Sequence, residues 1–266
     1  MKVVLFCGGL GLRLREHSES IPKPMVQIGY RPVLWHVMRY YAHFGHTEFI
    51  LCLGYKADAI KDYFLRYNEA LSNDFVLTHG GREVQLLGSD IAEWRISFVD
   101  TGLHANLGQR LHAVRHHLGD DEMFLANYGD VLTDAPLPEL IEDMRGRDSV
   151  AAFLAVRPTS YSFHLVTIKD GGLVESIDDI RTSDIWINGG YFIFRRGIFD
   201  YIEPGEELVE APFRRLLAED RLMAFRYEGF WAPMDTLKDV QTLESMVESG
   251  EPPWAVWQRP GIANGR

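Results

Sequence analysis

Short apolar runs alternate with helix-spaced stretches through the first 155 or so residues, and that alternation leaves few architectures open. The run at 3–7, "VVLFC", is continuously apolar and ends in Gly8-Gly9. Strands of parallel sheets read this way because both of their faces are covered. Similar runs stand at Glu48–Leu53, 95–99, 122–126 and 150–156. Between them, 32–44, 57–71, 109–118 and Leu137–Arg145 carry apolar residues at helical spacing. Such repetition predicts an α/β fold with a largely parallel sheet.

The pattern shifts after about residue 155. Segments 163–168, 173–177 and 186–194 read as strands joined by short turns, with "KDGG" at 169–172 the clearest turn signal. Helical spacing returns at Ala211–Ala218 and 236–248. The final stretch, "EPPWAVWQRPGIANGR", is expected to be a loosely packed tail anchored by Trp254 and Trp257.

Composition narrows the function classes. With 266 residues, 46% hydrophobic, the chain can bury a core that needs no disulfide or structural metal. A net charge of −11 argues against nucleic-acid coats and polybasic membrane binders, but not against a local basic pocket. Cys7 and Cys52 sit inside strand-like runs and read as buried free thiols; two cysteines without a C-x-x-C exclude a Cys-rich zinc site. Residues 1–6 read as a strand, not a signal peptide, and no apolar stretch nears the roughly 20 residues of a membrane helix. The cytoplasm is the expected compartment.

The first strand feeds "GGLGLREHSESIPKPM". Glycines let backbone N–H groups approach an anion, and a following helix N-terminus favours negative charge. The dinucleotide fingerprint fails, because Leu14 stands at its third glycine and no acid closes the second strand. The Walker pattern is absent as well. Arg13 offers a fork of donors suited to phosphate oxygens, and Lys23 is held between Pro22 and Pro24. A plain surface turn with two ordinary cations is the weaker reading.

With these motifs the chain resembles the sugar-1-phosphate nucleotidyltransferases, in particular their cytidylyltransferase branch. "PKPMVQIGYRPVLWHVMRYYAHFG", "GYKADAIKDYF", "FVDTG", "YGDVL", "WINGGYFIF" and "LMAFRYEGFWAPMDT" follow one another in family order, and the likeness spans about residues 1–257. It implies a Rossmann-like nucleotidyltransferase fold: a mixed, mostly parallel sheet flanked by helices, with a small β-rich sugar-binding portion. Residues 1–257 would form one domain, with a nucleotide half over about 1–155 and a sugar-phosphate half over about 156–235. A C-terminal helix and anchor would follow at 236–257, then a flexible tail at 258–266. CTP, or another pyrimidine nucleotide, and a sugar 1-phosphate are the implied substrates. Mg²⁺ is the implied cofactor, and self-association into a homo-oligomer is expected.

Asp130 in "NYGD" and Asp235 in "GFWAPMD" stand where strand ends present carboxylates to a crevice. The resemblance implies that both hold Mg²⁺, an ion that prefers one or two carboxylates plus phosphate oxygens. The alternatives are a turn-forming role for Asp130 and a helix N-cap for Asp235. The implied reaction is in-line attack of the sugar phosphate on the α-phosphorus of CTP, with pyrophosphate leaving. Arg13 and Lys23 would be catalytic. Gly8, Gly9, Leu10, Gly11, Leu12, Arg110 and Gly129 would surround the nucleotide, and Asn188, Gly189 and Arg181 the sugar phosphate.

The chain departs from the family pattern in three places. Leu12 replaces the threonine of G-G-x-G-T-R. "ESIDDIRTSD" replaces the Glu-Lys-Pro segment, leaving Arg181 in place of the sugar-phosphate lysine. Phe163-His164 replaces a Phe-Gly step, and Asp178, Asp179 and Asp184 make the neighbourhood acidic. An active transferase with an altered sugar partner is therefore expected, since arginine and lysine are not equivalent at a phosphate. A nucleotide-binding or regulatory protein on this scaffold and a nucleotide hydrolase are the alternatives. His36 reads as a packed core histidine, His112 and His116 as exposed helix residues, and Phe230-Trp231 as core or pocket wall.

Overall fold

The computed structural model describes residues 1–9, 21–158, 164–180 and 183–259. Its centre is a seven-stranded sheet, whose strands we label β1 (Val3–Phe6), β2 (Glu48–Leu53), β3 (Arg95–Asp100), β4 (Met123–Asn127), β5 (Ala151–Val156), β6 (Ile187–Arg195) and β7 (Leu222–Tyr227). They lie in the order β7–β5–β6–β4–β1–β2–β3. All neighbouring pairs are parallel except those of β6, which runs antiparallel to both β5 and β4. The expected mixed, mostly parallel sheet is thus present.

Alternate residues of the central strands enter opposite cores, as the two-residue period of a strand requires. Val3, Leu5 and Cys7 face one core, and Val4 and Phe6 the other. Phe49 and Leu51 in β2 divide from Ile50 and Cys52 in the same way. The free thiols of Cys7 and Cys52 are buried, and burial pushes the Cys7 thiol well above its usual pKa. Helices α1 (Val33–His43), α2 (Ala57–Leu65), α3 (Leu107–Ala113), α4 (Leu137–Arg145), α5 (Ala211–Ala218) and α6 (Leu237–Glu248) complete the layers. No helix among the described residues is long and apolar enough to cross a membrane.

Helix α1 is buried on nearly every side, because the chain's end covers the face turned away from the sheet. Trp254 is 1% exposed and donates its indole N–H to His36 Nδ1 at 3.2 Å; Trp257 meets Trp35 edge to face at 5.9 Å. Residues 254–256 are therefore packed, not loose, and the tail expectation is corrected for the described part. His36 also lies 3.0 Å, through Nε2, from the Ile28 carbonyl, as a packed core histidine should.

Other differences have local causes. The helix expected over 57–71 stops at Leu65, and only a 3₁₀ turn at Glu69–Leu71 continues it. There Asn68 caps the turn through the Ala70 N–H, and the buried Arg31 donates to the Asn68 carbonyl at 2.9 Å. The helix expected over 109–118 is α3 followed by a 3₁₀ turn at Arg115–Leu118, so His112 and His116 are exposed but share no continuous α-helix. A ribbon of Phe75–Thr78 with Glu83–Leu86 and the strand β7 carried no clear period in the sequence. The "KDGG" turn does join two antiparallel strands, His164–Ile168 and Val174–Asp179.

Candidate active site

The chain runs from β1 outward to β2 and β3, then returns to place β4 on the other side of β1. Ligands of open α/β sheets bind at such a reversal, outside the carboxyl ends of the strands. A cleft of about 290 Å³ lies there, lined by Gly8 and Gly9 after β1 and by Tyr128 and Asp130 after β4. Lys23, Arg110 and Glu207 also line it.

Two turns aim the charged groups. Gly129 has φ +80°, a left-handed conformation that glycine adopts without the strain of a Cβ. Its N–H donates to the Asn127 side-chain oxygen at 2.7 Å, so the last residue of β4 fixes the turn that delivers Asp130. On the other wall, Pro22 accepts the Met25 N–H at 2.8 Å and closes a single 3₁₀ turn, Lys23–Met25. Pro24 and Met25 are buried in it, leaving Lys23 to project.

A separate two-stranded ribbon brings in Asp235. Val131–Thr133 pairs with Trp231–Pro233, and the Met234 N–H donates to the Asp130 carbonyl at 3.0 Å. The carboxylates, more than a hundred positions apart in sequence, then converge on one ammonium. Lys23 Nζ lies 2.5 Å from Asp130 Oδ2 and 2.5 Å from Asp235 Oδ1. The cap of α6 is Thr236, which forms a capping box with Asp239. The N-cap alternative for Asp235 is thereby corrected, and its carboxylate meets the cleft-lining Lys23.

Burial alone would lower the Lys23 pKa, but the charges of Asp130 and Asp235 outweigh it and leave it raised. Burial raises the Asp130 pKa; Lys23 opposes the shift and Asp235 adds to it. Two carboxylates this close need a cation between them. Among the described residues no group of three or more His, Cys, Asp or Glu side chains gathers, so a metal here would take two hard carboxylate oxygens from the chain. That donor set suits Mg²⁺, which completes its shell with phosphates and water.

Arg110 is 4% exposed and braces the cleft from beneath. Its Nη1 donates to the Leu53 carbonyl at 3.1 Å and to Thr101 Oγ1 at 2.7 Å; its Nη2 donates to the Gly8 carbonyl at 3.0 Å and to the Leu103 carbonyl at 3.4 Å. A Cβ on Gly8 would lie 2.0 Å from Arg110 Nη1, so glycine there makes room for the guanidinium. Asn188 reaches the cleft-lining Tyr128, and its neighbour Gly189 packs against Trp231. Asn188 Nδ2 donates to the Tyr128 hydroxyl at 3.1 Å, and Trp231 Nε1 donates to the Gly189 carbonyl at 2.8 Å. Trp231 is a buried core residue.

Leu10, Gly11, Leu12, Arg13 and Arg181 lie outside the described residues, as does Phe163. Sequence reasoning missed the positioning role of Asn127, the cleft-lining Tyr128 and Glu207, and Arg157. Arg157 stacks its guanidinium 5.0 Å from the Trp186 ring and donates to the Ser183 carbonyl at 2.6 Å. Asn127 and Tyr128 were within reach, standing directly before the singled-out "GD"; Glu207 carried no local signal.

A mixed sheet with two carboxylates and a lysine gathered at its reversal point defines a nucleotide-handling α/β protein of the phosphoryl-transfer type. The chain belongs to the nucleotidyl transferase family, whose model matches residues 2–249. It is 37% identical to a Bacillus subtilis protein described as "Probable glucose-1-phosphate cytidylyltransferase", and 36% identical to the glucose-1-phosphate cytidylyltransferase of Salmonella typhimurium. Each match covers 97% of this chain and all of the relative. Among solved structures, a UTP-bound UGPase from Acinetobacter baumannii shares the fold with a TM-score of 0.69, covering 95% of both chains at 18% identity.

Proposed function

We propose that the protein transfers the cytidylyl group of CTP to a sugar 1-phosphate, with glucose 1-phosphate the first candidate, and releases pyrophosphate. The observation that carries this reading is Lys23 held between Asp130 and Asp235 at the β1/β4 reversal. Full-length identity of 36–37% to glucose-1-phosphate cytidylyltransferases supports the choice of substrates.

Lys23 would donate to the α-phosphoryl group and the attacking phosphate, holding them in line; Arg13 would neutralise charge on the departing phosphates. The Gly8–Gly9 backbone leaves room for the nucleotide to approach β1. Asn188 and Gly189 would border the sugar. Asp130 and Asp235 would hold Mg²⁺, which when bound supplies positive charge to both reactants' phosphates. Protein groups then contribute position and charge, with no covalent intermediate on the enzyme. The acidic stretch around Asp178, Asp179 and Asp184 supports a sugar partner with features of its own.

Incubation with CTP, Mg²⁺ and a panel of sugar 1-phosphates, read by pyrophosphate release, tests the proposal. Release that requires a sugar phosphate is expected. Release without one would replace transfer by hydrolysis, and none with any partner would leave a nucleotide-binding module.

A further inference from the structure

Beside Lys23 and Asp130, the cleft is lined by an acid with no part in the chemistry above, Glu207. Ala105, Asn106 and Leu107 form a wall there, and Glu207 lines it from the segment preceding α5. The two segments are locked together. Asn106 Nδ2 donates to the Gly205 carbonyl at 2.9 Å, and a Cβ on Gly108 would lie 2.3 Å from the Glu206 carbonyl oxygen. The Glu207 carboxylate is held from both sides: Oε1 accepts the Leu208 N–H at 3.0 Å, and Oε2 accepts the Leu107 N–H at 3.4 Å. An ionised carboxylate has about four acceptor sites and no donor, so it can still take donors from a ligand in the cleft and repels acceptors.

We propose that Glu207 reads the exocyclic amine of the nucleotide's pyrimidine, and so selects cytosine over uracil. The proposal rests on the transferase reading above. With the triphosphate at Lys23, Asp130 and Asp235, the nucleotide crosses Gly8–Gly9 and its base meets the Ala105–Leu107 wall. The Arg110 guanidinium beside that wall already serves two backbone carbonyls at Leu53 and Gly8, the Thr101 hydroxyl and the Leu103 carbonyl. Glu207 then faces the base edge as a fixed acceptor. Cytosine presents an N4 amine donor at that edge, whereas uracil presents an O4 acceptor whose lone pairs oppose the carboxylate. A well-placed pairing of this kind discriminates about ten- to a hundredfold.

The test compares the wild-type protein with Glu207→Gln, an isosteric change that can turn an amide donor toward O4. kcat/KM for CTP and UTP is measured with Mg²⁺ and the best sugar 1-phosphate. Calorimetric binding of CTP, UTP and 2′-deoxy-CTP without sugar phosphate gives a second readout. The expected result is a fall in CTP use and a CTP/UTP ratio moved at least tenfold toward UTP in both readouts. A ratio unmoved within twofold, or an equal loss for both nucleotides, overturns the proposal. Lost preference for CTP over 2′-deoxy-CTP with an intact CTP/UTP ratio overturns it in favour of a ribose contact. If Glu207→Gln does not fold, Glu207→Asp decides, because it draws the acceptor back by one methylene: a narrowed ratio supports the proposal and an unmoved one overturns it. Wild-type protein that binds no nucleotide removes the transferase reading and this inference with it, whereas wild-type activity with an unmoved ratio removes this inference alone.

Discussion

Lys23 Nζ stands 2.5 Å from Asp130 Oδ2, although the proline-flanked turn and the end of β4 lie on opposite walls of the cleft. The ammonium lies between the two carboxylates that would hold the proposed Mg²⁺. Lys23→Ala is expected to lower kcat at least about a hundredfold, in the range seen when one preorganised charge donor is removed. Circular dichroism should show the fold retained. Pyrophosphate release within tenfold of wild type would show that the lysine has no part in the transfer.

Asp130→Asn and Asp235→Asn each remove one hard, charged oxygen from the proposed ion site. Both variants should need a much higher Mg²⁺ concentration for half-maximal rate and should lose about two orders of magnitude in kcat. A titration of rate against Mg²⁺ measures this. An unchanged half-saturation point in both would place the metal elsewhere.

Asn127 acts through Gly129, whose N–H it accepts at 2.7 Å inside the protein. Asn127→Leu would leave that buried donor unpaired, a loss of about 1–3 kcal/mol of stability. Urea unfolding should register the loss. In the same variant kcat should fall more than the CTP KM rises, because Asp130 would lose its fixed aim. A variant of wild-type kcat would make Asn127 a purely structural residue.

His36 is buried neutral between the Ile28 carbonyl and the Trp254 indole, and burial lowers its pKa to about 4. Its unfolded value is about 6.5. The unfolded chain therefore binds the extra proton first as pH falls, and stability is lost between about pH 6.5 and 4. Linkage sets the loss near pH 4.5 at about 2–3 kcal/mol. Urea midpoints at pH 7 and 4.5 should differ more for wild type than for His36→Gln. Equal differences would mean that the histidine titrates normally in the folded protein.

The strand–helix alternation was legible because buried parallel strands and amphipathic helices leave strong periods, as at Val3–Phe6 and Leu137–Arg145. Asp130 and Lys23 were legible for a different reason: glycine and proline punctuate the chain where it must turn sharply. What stayed hidden depends on distant partners. The strand Leu222–Tyr227 earns its place by pairing with β5, and its own residues show mixed burial. Glu207 gains meaning only because Asn106 and Gly205 bring two segments together, and no local pattern encodes that meeting. Arg31, in the two-residue strand Arg31–Pro32, is fully buried because Asn68, Ser72 and Tyr63 gather around its guanidinium, and none of those partners is near it in sequence.

The cationic brace at Arg110 fastens Gly8, Leu53 and the Thr101–Leu103 bend to one planar group. The ends of three adjacent strands consequently shift as a unit or not at all. Reshaping this floor would demand rebuilding the brace together with every carbonyl it grips, so exchanging a single wall residue should not suffice to remodel it.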